Sequence, residues 1–230
     1  MPRADRDVET SEMFAYYDAR VDGYDDFYQG KGAAIGPLSR DYPIDTATIG
    51  ALLSSFGHGD VLDLGCGTGF WLSTYGRNSR SITLVDQSAP ALARCAQRVD
   101  ALALQHVARI IRGDIFDVPL ADSGFDACVL GFILSHLTDP QIDDLFRRLH
   151  RTLRPRADLA VIDSAWTEAR RPYCQRRSFE RRVLPDGGAF MIRKRYIDRK
   201  ELEALLDEQG FHVRSAYVGN VFIGVVASRL

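Results

Sequence analysis

The residues best suited to chemistry are three glycines in the run Gly65-Cys66-Gly67-Thr68-Gly69, which follows the short apolar run Val61–Leu64. Glycine lets the backbone turn sharply and approach a ligand closely, and a helix expected from about Phe70 would offer free N–H groups to an anion. The dinucleotide fingerprint is Gly-x-Gly-x-x-Gly, whereas here the third glycine comes one residue early. The loop therefore indicates a nucleotide-like site and disfavours a pyrophosphate loop.

Two carboxylates occupy equivalent positions after the next two apolar runs. Asp86 follows Ile82–Val85, and Asp114 lies shortly after Ala108–Ile111. A carboxylate just past a parallel strand can accept hydrogen bonds from both ribose hydroxyls, which favours this role for Asp86. The alternative is that Asp86 or Ser88 caps the next helix. Asp114 can accept a hydrogen bond from an adenine amino group; otherwise it is a solvated loop residue.

The elements that must position these residues alternate between strand and helix. Short apolar runs predict five strands, and the amphipathic stretches between them predict helices. The strands are Val61–Leu64, Ile82–Val85, Ala108–Ile111, Phe125–Leu130 and Leu159–Ile162, and the clearest helices are Ala89–Leu102 and Pro140–Leu153. This alternation implies right-handed βαβ units and a parallel sheet with helices on both faces.

The C-terminus departs from this alternation. Arg199–Gln209 is predicted as a helix ending at Gly210, and His212–Tyr217 and Val221–Ala227 as two strands. The short Gly219-Asn220 connection between the strands fits a hairpin and not a crossover. The predicted fold is therefore α/β: a Rossmann-like, seven-stranded, mostly parallel sheet with helices on both faces and a C-terminal antiparallel hairpin. An ordinary dinucleotide-binding fold does not end in this way.

Taken together, the order and spacing of these motifs resemble class I S-adenosylmethionine-dependent methyltransferases. The resemblance rests on Asp63-Leu64-Gly65-Cys66-Gly67-Thr68-Gly69, Asp86, Gly113-Asp114 and the stretch from Phe125-Asp126 to His136-Leu137. It implies that residues 46–230 form the methyltransferase domain, with S-adenosylmethionine as cofactor and S-adenosylhomocysteine as product. It also implies that Asp63 orients the cofactor's ammonium group through water. The cofactor-binding residues that it implies are Asp63, Gly65, Cys66, Gly67, Asp86, Gln87, Asp114, Ile115, Gly131 and Phe132.

Residues 1–45 are polar, acidic and rich in tyrosine. Their aromatic residues recur at roughly helical spacing, which predicts one or two helices, then a loop over Gly30–Pro43 and a further helix over Thr46–Phe56. The segment resembles the helical lid that covers the cofactor in many small-molecule methyltransferases and excludes water. Tyr17 and Tyr24 are the residues expected to contact the cofactor. The alternative, which is compatible with a lid, is a surface helix whose aromatic face packs on the core.

His136 and Asp163 are the candidates for the chemical step and for contact with the methyl acceptor. Methyl transfer from a sulfonium is an in-line displacement, for which a protein mainly supplies proximity and alignment. A base is needed only if the acceptor must lose a proton. His136 is the candidate base because its unperturbed pKa lies near neutrality; the alternative is that it only hydrogen-bonds its loop. Asp163 ends the fifth strand, at the edge where open α/β sheets bind ligands.

The segment of about 165–197 is a basic insertion. Residues 170–195 include nine basic and two acidic residues, and Asp186-Gly187-Gly188 predicts a tight turn between two extended pieces. Arg181 and Arg182 are candidates to recognise an anionic acceptor such as a carboxylate or phosphate. The alternative is a solvated surface whose charges balance the acidic N-terminal segment.

Composition and charge restrict the class of protein. The net charge of −2 disfavours a nucleic-acid partner. The sequence has no apolar run of the length that a membrane span needs, and its charged start does not resemble a signal peptide. The four cysteines are far apart, which disfavours a zinc site or a disulfide framework. These features predict a cytoplasmic protein that needs no metal.

The function predicted from the sequence is transfer of a methyl group from S-adenosylmethionine to an oxygen or nitrogen of a small metabolite. The predicted assembly is a monomer or a homodimer. Two alternatives remain open. One is a cofactor-binding regulatory or partner subunit without catalysis. The other is an NAD-dependent dehydrogenase, which the glycine spacing and the C-terminal hairpin disfavour.

Overall fold

The computed structural model describes residues 8–32, 34–184 and 186–230, with side chains from residue 11 onward. Its helices are α1 Val8–Arg20, α2 Asp41–Leu53, α3 Leu72–Tyr75, α4 Ala89–Ala101, α5 Asp139–Thr152 and α6 Arg199–Glu208. Its strands are β1 Gly59–Leu64, β2 Ser79–Asp86, β3 Ala108–Arg112, β4 Phe125–Gly131, β5 Leu153–Ser164, β6 Arg177–Val183, β7 Ala189–Arg195, β8 Phe211–Val218 and β9 Phe222–Arg229.

Seven of these strands form one sheet, in the order β3-β2-β1-β4-β5-β9-β8. Strands β1 to β5 are parallel to one another, and β9 is antiparallel to both of its neighbours, β5 and β8. The hairpin forms because residues 219–221 are too few for a crossover connection. The predicted α/β fold, with its mostly parallel sheet and closing hairpin, is confirmed.

Both faces of the sheet are buried, because neighbouring residues along a strand pack against different helices. In β1, Leu62 packs into the core that includes α5 and α6, whereas Val61 packs into the core that includes α2 and α4. Both side chains are fully buried. The central strands are therefore held rigidly, and the carboxyl ends of β1 to β4 meet at one edge of the sheet.

Two predicted helix boundaries are wrong. Helix α2 begins at Asp41 and not at Thr46, so the loop predicted to continue to Pro43 ends earlier. Pro43 fits the first turn because the N–H groups there have no intrahelical acceptor. The helix expected from Phe70 is the single turn α3, since residues 70–78 must also return the chain to the start of β2.

Helix α2 holds the β8–β9 turn through the buried carboxylate of Asp45. Its Oδ2 accepts hydrogen bonds from the backbone N–H groups of Val221 (2.8 Å) and Phe222 (2.9 Å), and its Oδ1 accepts one from the Tyr217 hydroxyl (2.8 Å). The side chain thereby fixes the closing hairpin against the helix.

Asp45→Ala is expected to lower the free energy of unfolding by about 2–4 kcal/mol, because it leaves two buried N–H groups without an acceptor. Denaturation in urea measures this change. Asp41→Ala is the matched control on the same helix, since Asp41 accepts an exposed hydrogen bond from the Asn220 amide. An equal effect of the two substitutions would contradict the role given to Asp45.

The basic insertion forms the two-stranded antiparallel hairpin β6–β7. Its turn is the predicted one: Gly187 has a φ of +92°, and the Gly188 N–H donates to Asp186 Oδ1 at 2.9 Å. The hairpin packs against α1, where Tyr16 and Ile192 are buried in a shared cluster. The N-terminal segment and the insertion, which are far apart in sequence, therefore form one structural unit over the edge of the sheet.

Candidate active site

A cavity of about 180 Å³ lies where β1 to β4 end. It includes every cofactor-binding residue predicted from the sequence except Asp63 and Cys66, and also the candidate base His136. The lining residues are Met13, Phe14, Tyr17, Val21, Tyr24, Gly65, Gly67, Thr68, Asp86, Gln87, Ser88, Ala91, Gly113, Asp114, Ile115, Phe116, Gly131, Phe132, Ile133, His136, Leu137 and Gln141. One wall thus comes from the strand ends and the opposite wall from the N-terminal segment.

The glycine loop is held against β2 and leaves its backbone open to the cavity. The N–H groups of Gly65 and Cys66 both donate to the Val85 carbonyl, at 2.7 and 3.0 Å. Gly65 has a φ of +73°, and a Cβ there would lie 2.2 Å from Cδ1 of Ile133. Gly67 has a φ of +53° with open space where its Cβ would be. A ligand can therefore approach the backbone at Gly67 closely, which side chains at these positions would prevent.

Asp86 ends β2 with both carboxylate oxygens already oriented by the backbone. Oδ2 accepts the Gly67 N–H at 2.8 Å, and Oδ1 accepts the Ser88 N–H at 2.9 Å. Each oxygen keeps a second lone pair for a ligand. The cap of α4 is Ser88, whose Oγ accepts the Ala91 N–H, so the capping alternative does not apply to Asp86. Burial raises the pKa of Asp86.

Asp114 and Ile115 follow β3 on the same side of the cavity. Oδ1 of Asp114 accepts the Phe116 N–H at 2.8 Å, so this carboxylate is also held by the turn that carries it. With Asp86, it places two oriented carboxylates at neighbouring strand ends. Contact of Asp114 with an adenine ring stays a prediction.

The side chains of Asp63, before the glycine loop, and Cys66, within it, do not line the cavity among the described residues. Asp63 is buried and accepts a hydrogen bond from the Tyr75 hydroxyl at 2.5 Å. Burial raises the pKa of Asp63 to about 7. The thiol of Cys66 lies beside Cys95, away from the cavity, and its pKa is raised. The role predicted for Asp63, to orient the cofactor's ammonium group through water, and the cofactor contact predicted for Cys66 both stay predictions.

The N-terminal segment covers the cavity and is tied to the glycine loop. Tyr17 and Tyr24 line it with ring centroids 6.0 Å apart. Oδ1 of Asp25 accepts the Thr68 hydroxyl at 2.7 Å, and Oδ2 pairs with Arg98 of α4. The group Asp25–Thr68–Arg98, which we call the latch, therefore joins the covering segment to the loop beneath it.

His136 is neutral, and both of its ring nitrogens have partners. Nδ1 lies 2.9 Å from the Arg193 carbonyl oxygen, and Nε2 lies 2.7 Å from the Tyr17 hydroxyl. A carbonyl oxygen only accepts, so Nδ1 carries the proton and Nε2 accepts from Tyr17. Burial, with Lys194 nearby, lowers the pKa of His136 well below its usual value. The imidazole could therefore take a proton from an acceptor only through Tyr17 or after Tyr17 moves.

A second, smaller cavity of about 30 Å³ lies between α1 and the inner face of the β6–β7 hairpin. Tyr17, Tyr24, Phe132 and His136 belong to both cavities. Its other walls carry three basic side chains, Arg20, Arg182 and Lys194, together with Tyr16, Phe27 and Ile192. We call it the basic cavity. It is the part of the site that the glycine and carboxylate motifs do not predict.

Arg181 and Arg182 point to opposite faces of β6, because side chains alternate along a strand. Arg182 lines the basic cavity, whereas Arg181 is exposed and does not; both line a further surface depression. Both were predicted to bind the acceptor, and for Arg181 this stays a prediction without support from the basic cavity. For Arg182, acceptor binding stays a prediction.

Asp163 is fully buried and does not reach either cavity among the described residues. Its Oδ2 accepts the Ser135 N–H at 2.9 Å, and its Oδ1 accepts the Ser164 N–H at 2.7 Å. In this structure both carboxylate oxygens face backbone N–H groups, and contact of Asp163 with an acceptor stays a prediction. Through its hydrogen bond with Ser135, the carboxylate links the end of β5 to the short turn that carries His136.

Most of the exposed arginines in the insertion form ion pairs. Arg176, Arg177 and Arg195 share Glu201 of α6, and Asp198 and Asp139 extend the network. The alternative of a charge-balanced surface therefore holds for this part of the hairpin. The acidic partners of these three arginines are Asp139 of α5, Glu201 of α6 and Asp198 just before α6.

Arg20 and Lys194 were missed by the sequence analysis. Lys194 shares the inward parity of Ile192 along β7, a period-two pattern that the charge-based interpretation of the insertion overlooked. Arg20 lies three residues after Tyr17 on α1, so both are on one helix face. The described residues contain no group of three or more metal-ligating side chains, and none of the described helices is long and apolar enough to cross a membrane.

Comparison with known proteins agrees with this geometry. Residues 61–156 match the sequence model of a family described as a methyltransferase domain. A 2-phytyl-1,4-naphtoquinone methyltransferase of Synechococcus elongatus is 36% identical over 106 residues, which are 45% of each chain. A malonyl-[acyl-carrier protein] O-methyltransferase of Pectobacterium atrosepticum is 36% identical over 119 residues, 50% of this chain and 42% of the relative. The match thus spans less than half the length of these relatives.

The fold also matches solved structures over nearly the whole chain. The DhpI–SAM–HEP complex superposes with a TM-score of 0.73 at 24% identity, covering 96% of this chain and 98% of that chain. At this identity the likeness concerns the fold.

Proposed function

We propose that the chain is a class I S-adenosylmethionine-dependent methyltransferase, which transfers a methyl group from this cofactor to an oxygen or nitrogen of a small metabolite. Residues 46–230 are the catalytic domain in this proposal, and residues 1–45 are the lid. S-adenosylhomocysteine is the product.

The observation that carries the proposal is the carboxylate of Asp86. Two backbone N–H groups, from Gly67 and Ser88, hold its oxygens at the end of β2, and their remaining lone pairs are available to the cavity. This arrangement suits a pair of adjacent ribose hydroxyls. The open backbone at Gly67 fits the methionine part of the cofactor, and Asp114 with Ile115 fits the adenine.

In the bound cofactor, a positively charged sulfonium activates the methyl group for in-line displacement. The residues of this chain then contribute mainly by alignment and by excluding water. Tyr17, Tyr24 and Val21 close the cavity from above, while Gly131 and Phe132 form the wall after β4. A neutral His136 next to Tyr17 adds no positive charge beside the sulfonium.

The proposal is tested by calorimetric titration of the protein with S-adenosylhomocysteine and, separately, with NAD. Micromolar binding of the first and none of the second is expected. The reverse would replace the proposal with the dehydrogenase alternative. Protein that binds the cofactor is then incubated with S-adenosylmethionine and a panel of acids, alcohols and amines, and products are detected by mass spectrometry. Binding without methylated product from any class would favour the regulatory subunit.

The latch offers a test of the lid. Asp25→Ala removes the acceptor of Thr68 and the partner of Arg98, so we expect S-adenosylhomocysteine to bind about three- to tenfold more weakly, as for the loss of about one net hydrogen bond. Asp26→Ala is the control, because Asp26 is exposed beside the latch. Calorimetry at one pH compares the two variants, and equal affinities would mean that the segment covers the cofactor without being held by this contact.

A further inference from the structure

We propose that the methyl acceptor is a small acid whose anionic oxygen is bound in the basic cavity by Arg20, Arg182 and Lys194 and there receives the methyl group. The inference rests on the proposed methyltransferase function. It concerns which class of molecule occupies the acceptor side of the site.

The first observation is that two guanidinium groups in this cavity have buried nitrogens without a partner among the described residues. These atoms are Nη2 of Arg20 and Nε of Arg182. A buried donor that makes no hydrogen bond is unfavourable, and such donors normally have an acceptor. A carboxylate, phosphate or phosphonate group supplies two or three acceptor oxygens with negative charge.

The second observation is the surplus of positive charge. Arg20 lies over the rings of Tyr16, Tyr24 and Phe27, at 5.2–5.8 Å from their centroids, and pairs with no carboxylate among the described residues. Lys194 is 93% buried, and its Nζ donates to the Ser135 hydroxyl at 2.8 Å, which engages one of its three protons.

Two carboxylates lie near these three cations, and both are already engaged. Glu180 pairs with Arg182 and accepts the Tyr196 hydroxyl at 2.8 Å. Asp163 accepts two backbone N–H groups. Buried Arg170 lies over the same Tyr196 ring as Lys194 and adds a further cation, so positive charge exceeds negative charge around this largely enclosed space. This surplus favours binding of an anion there.

The third observation is position. Tyr17, Tyr24, Phe132 and His136 are shared between the basic cavity and the cofactor cavity, so a group bound in one lies directly beside the other. The basic cavity holds about 30 Å³, enough for an acidic head group but not for a whole metabolite. The anionic oxygen would thus lie next to the cavity proposed for the methyl donor.

The chemistry also fits the state of His136. A lone pair of the anionic oxygen forms the new O–C bond while the S–C bond breaks, the electron pair stays on sulfur, and the products are a methyl ester and S-adenosylhomocysteine. No proton moves in this step, so no base is needed. An alcohol would have to lose a proton, whereas Nε2 of His136 already accepts from Tyr17.

The test measures anion binding to protein saturated with S-adenosylhomocysteine. Methylphosphonate and acetate are the charged probes, and acetamide is the neutral one. We expect at least one of the anions to bind and acetamide not to bind. Arg182→Gln should weaken anion binding at least tenfold, and Lys194→Met is the second variant of the cavity. Arg181→Gln is the matched control on the outer face of β6 and should change anion binding less than twofold.

The affinity for S-adenosylhomocysteine, measured in each variant, separates the two proposals. Normal cofactor binding without anion binding, or equal anion binding in Arg182→Gln and Arg181→Gln, would overturn the acid acceptor while leaving the methyltransferase proposal intact. Absence of cofactor binding in the wild type would instead defeat the proposed function. With S-adenosylmethionine present, we expect mass spectrometry to detect the methyl ester of the anion that binds, in smaller amount with Arg182→Gln than with Arg181→Gln.

Discussion

Asp86→Ala is expected to weaken S-adenosylhomocysteine binding by about 100-fold or more. Two hydrogen bonds from ribose hydroxyls to a carboxylate are lost, and hydrogen bonds to charged groups contribute about 1.5–3 kcal/mol each. The backbone N–H groups of Gly67 and Ser88 also lose their acceptor, so the loop that carries the glycines becomes less ordered. Calorimetry measures the affinity directly.

The control for this substitution is Asp122→Ala, which removes an exposed carboxylate from the loop before β4. Thermal unfolding without ligand shows whether Asp86→Ala remains folded. A folded variant that binds with wild-type affinity would remove the ribose anchor from the proposal, and with it the observation on which the proposed function depends most.

The second large effect concerns Asp63, whose burial raises its pKa from an ordinary 3.8 to about 7. A pKa that is higher in the folded than in the unfolded chain gives stability that is fully present below the unfolded pKa. That stability is lost progressively as the pH rises through the folded pKa. Between pH 5 and pH 8 this one group is expected to lower the free energy of unfolding by about 2–3 kcal/mol.

Asp63→Asn removes this dependence while keeping an oxygen that accepts the Tyr75 hydroxyl. Urea denaturation of both proteins at several values between pH 5 and pH 8 isolates the contribution, since other titrating groups are common to both. We expect the free energy of unfolding of the variant to rise relative to that of the wild type as the pH rises. If the difference in free energy of unfolding between the two proteins stayed constant with pH, the Asp63 carboxyl group would have the same pKa in the folded and the unfolded chain.

The basic cavity explains why the N-terminal segment and the insertion interact. Helix α1 supplies Arg20 and Tyr17, the hairpin supplies Arg182 and Lys194, and the parallel sheet supplies the strand ends beneath them. The proposed acceptor site therefore exists only when the lid is folded against the hairpin. Movement of the lid would open the cofactor and acceptor cavities together.

The site residues that lie at the ends of strands could be predicted from local sequence. Gly65, Gly67, Asp86 and Asp114 each lie within three residues of the end of an apolar run, so the predicted strands were enough to bring them to one edge of the sheet. The side chains of Asp63 and Asp163 do not line the cavities although they lie at the same edge, because sequence does not show which way a side chain turns. The Asp63 side chain points toward Tyr75, and the Asp163 side chain points toward the turn at Ser135.

The sequence alone determined the α/β class, the parallel sheet with its closing hairpin, and the positions of the glycine loop and Asp86, since these follow from short-range periodicity and spacing. The tertiary structure decided which basic residues matter. Arg181 and Arg182 are adjacent residues of the same type, and they differ in the face of β6 from which their side chains project. Arg20 and Lys194 are 174 residues apart in the chain and line the same cavity because α1 packs on the hairpin. Such long-range contacts depend on how complementary surfaces pack, which local patterns do not encode.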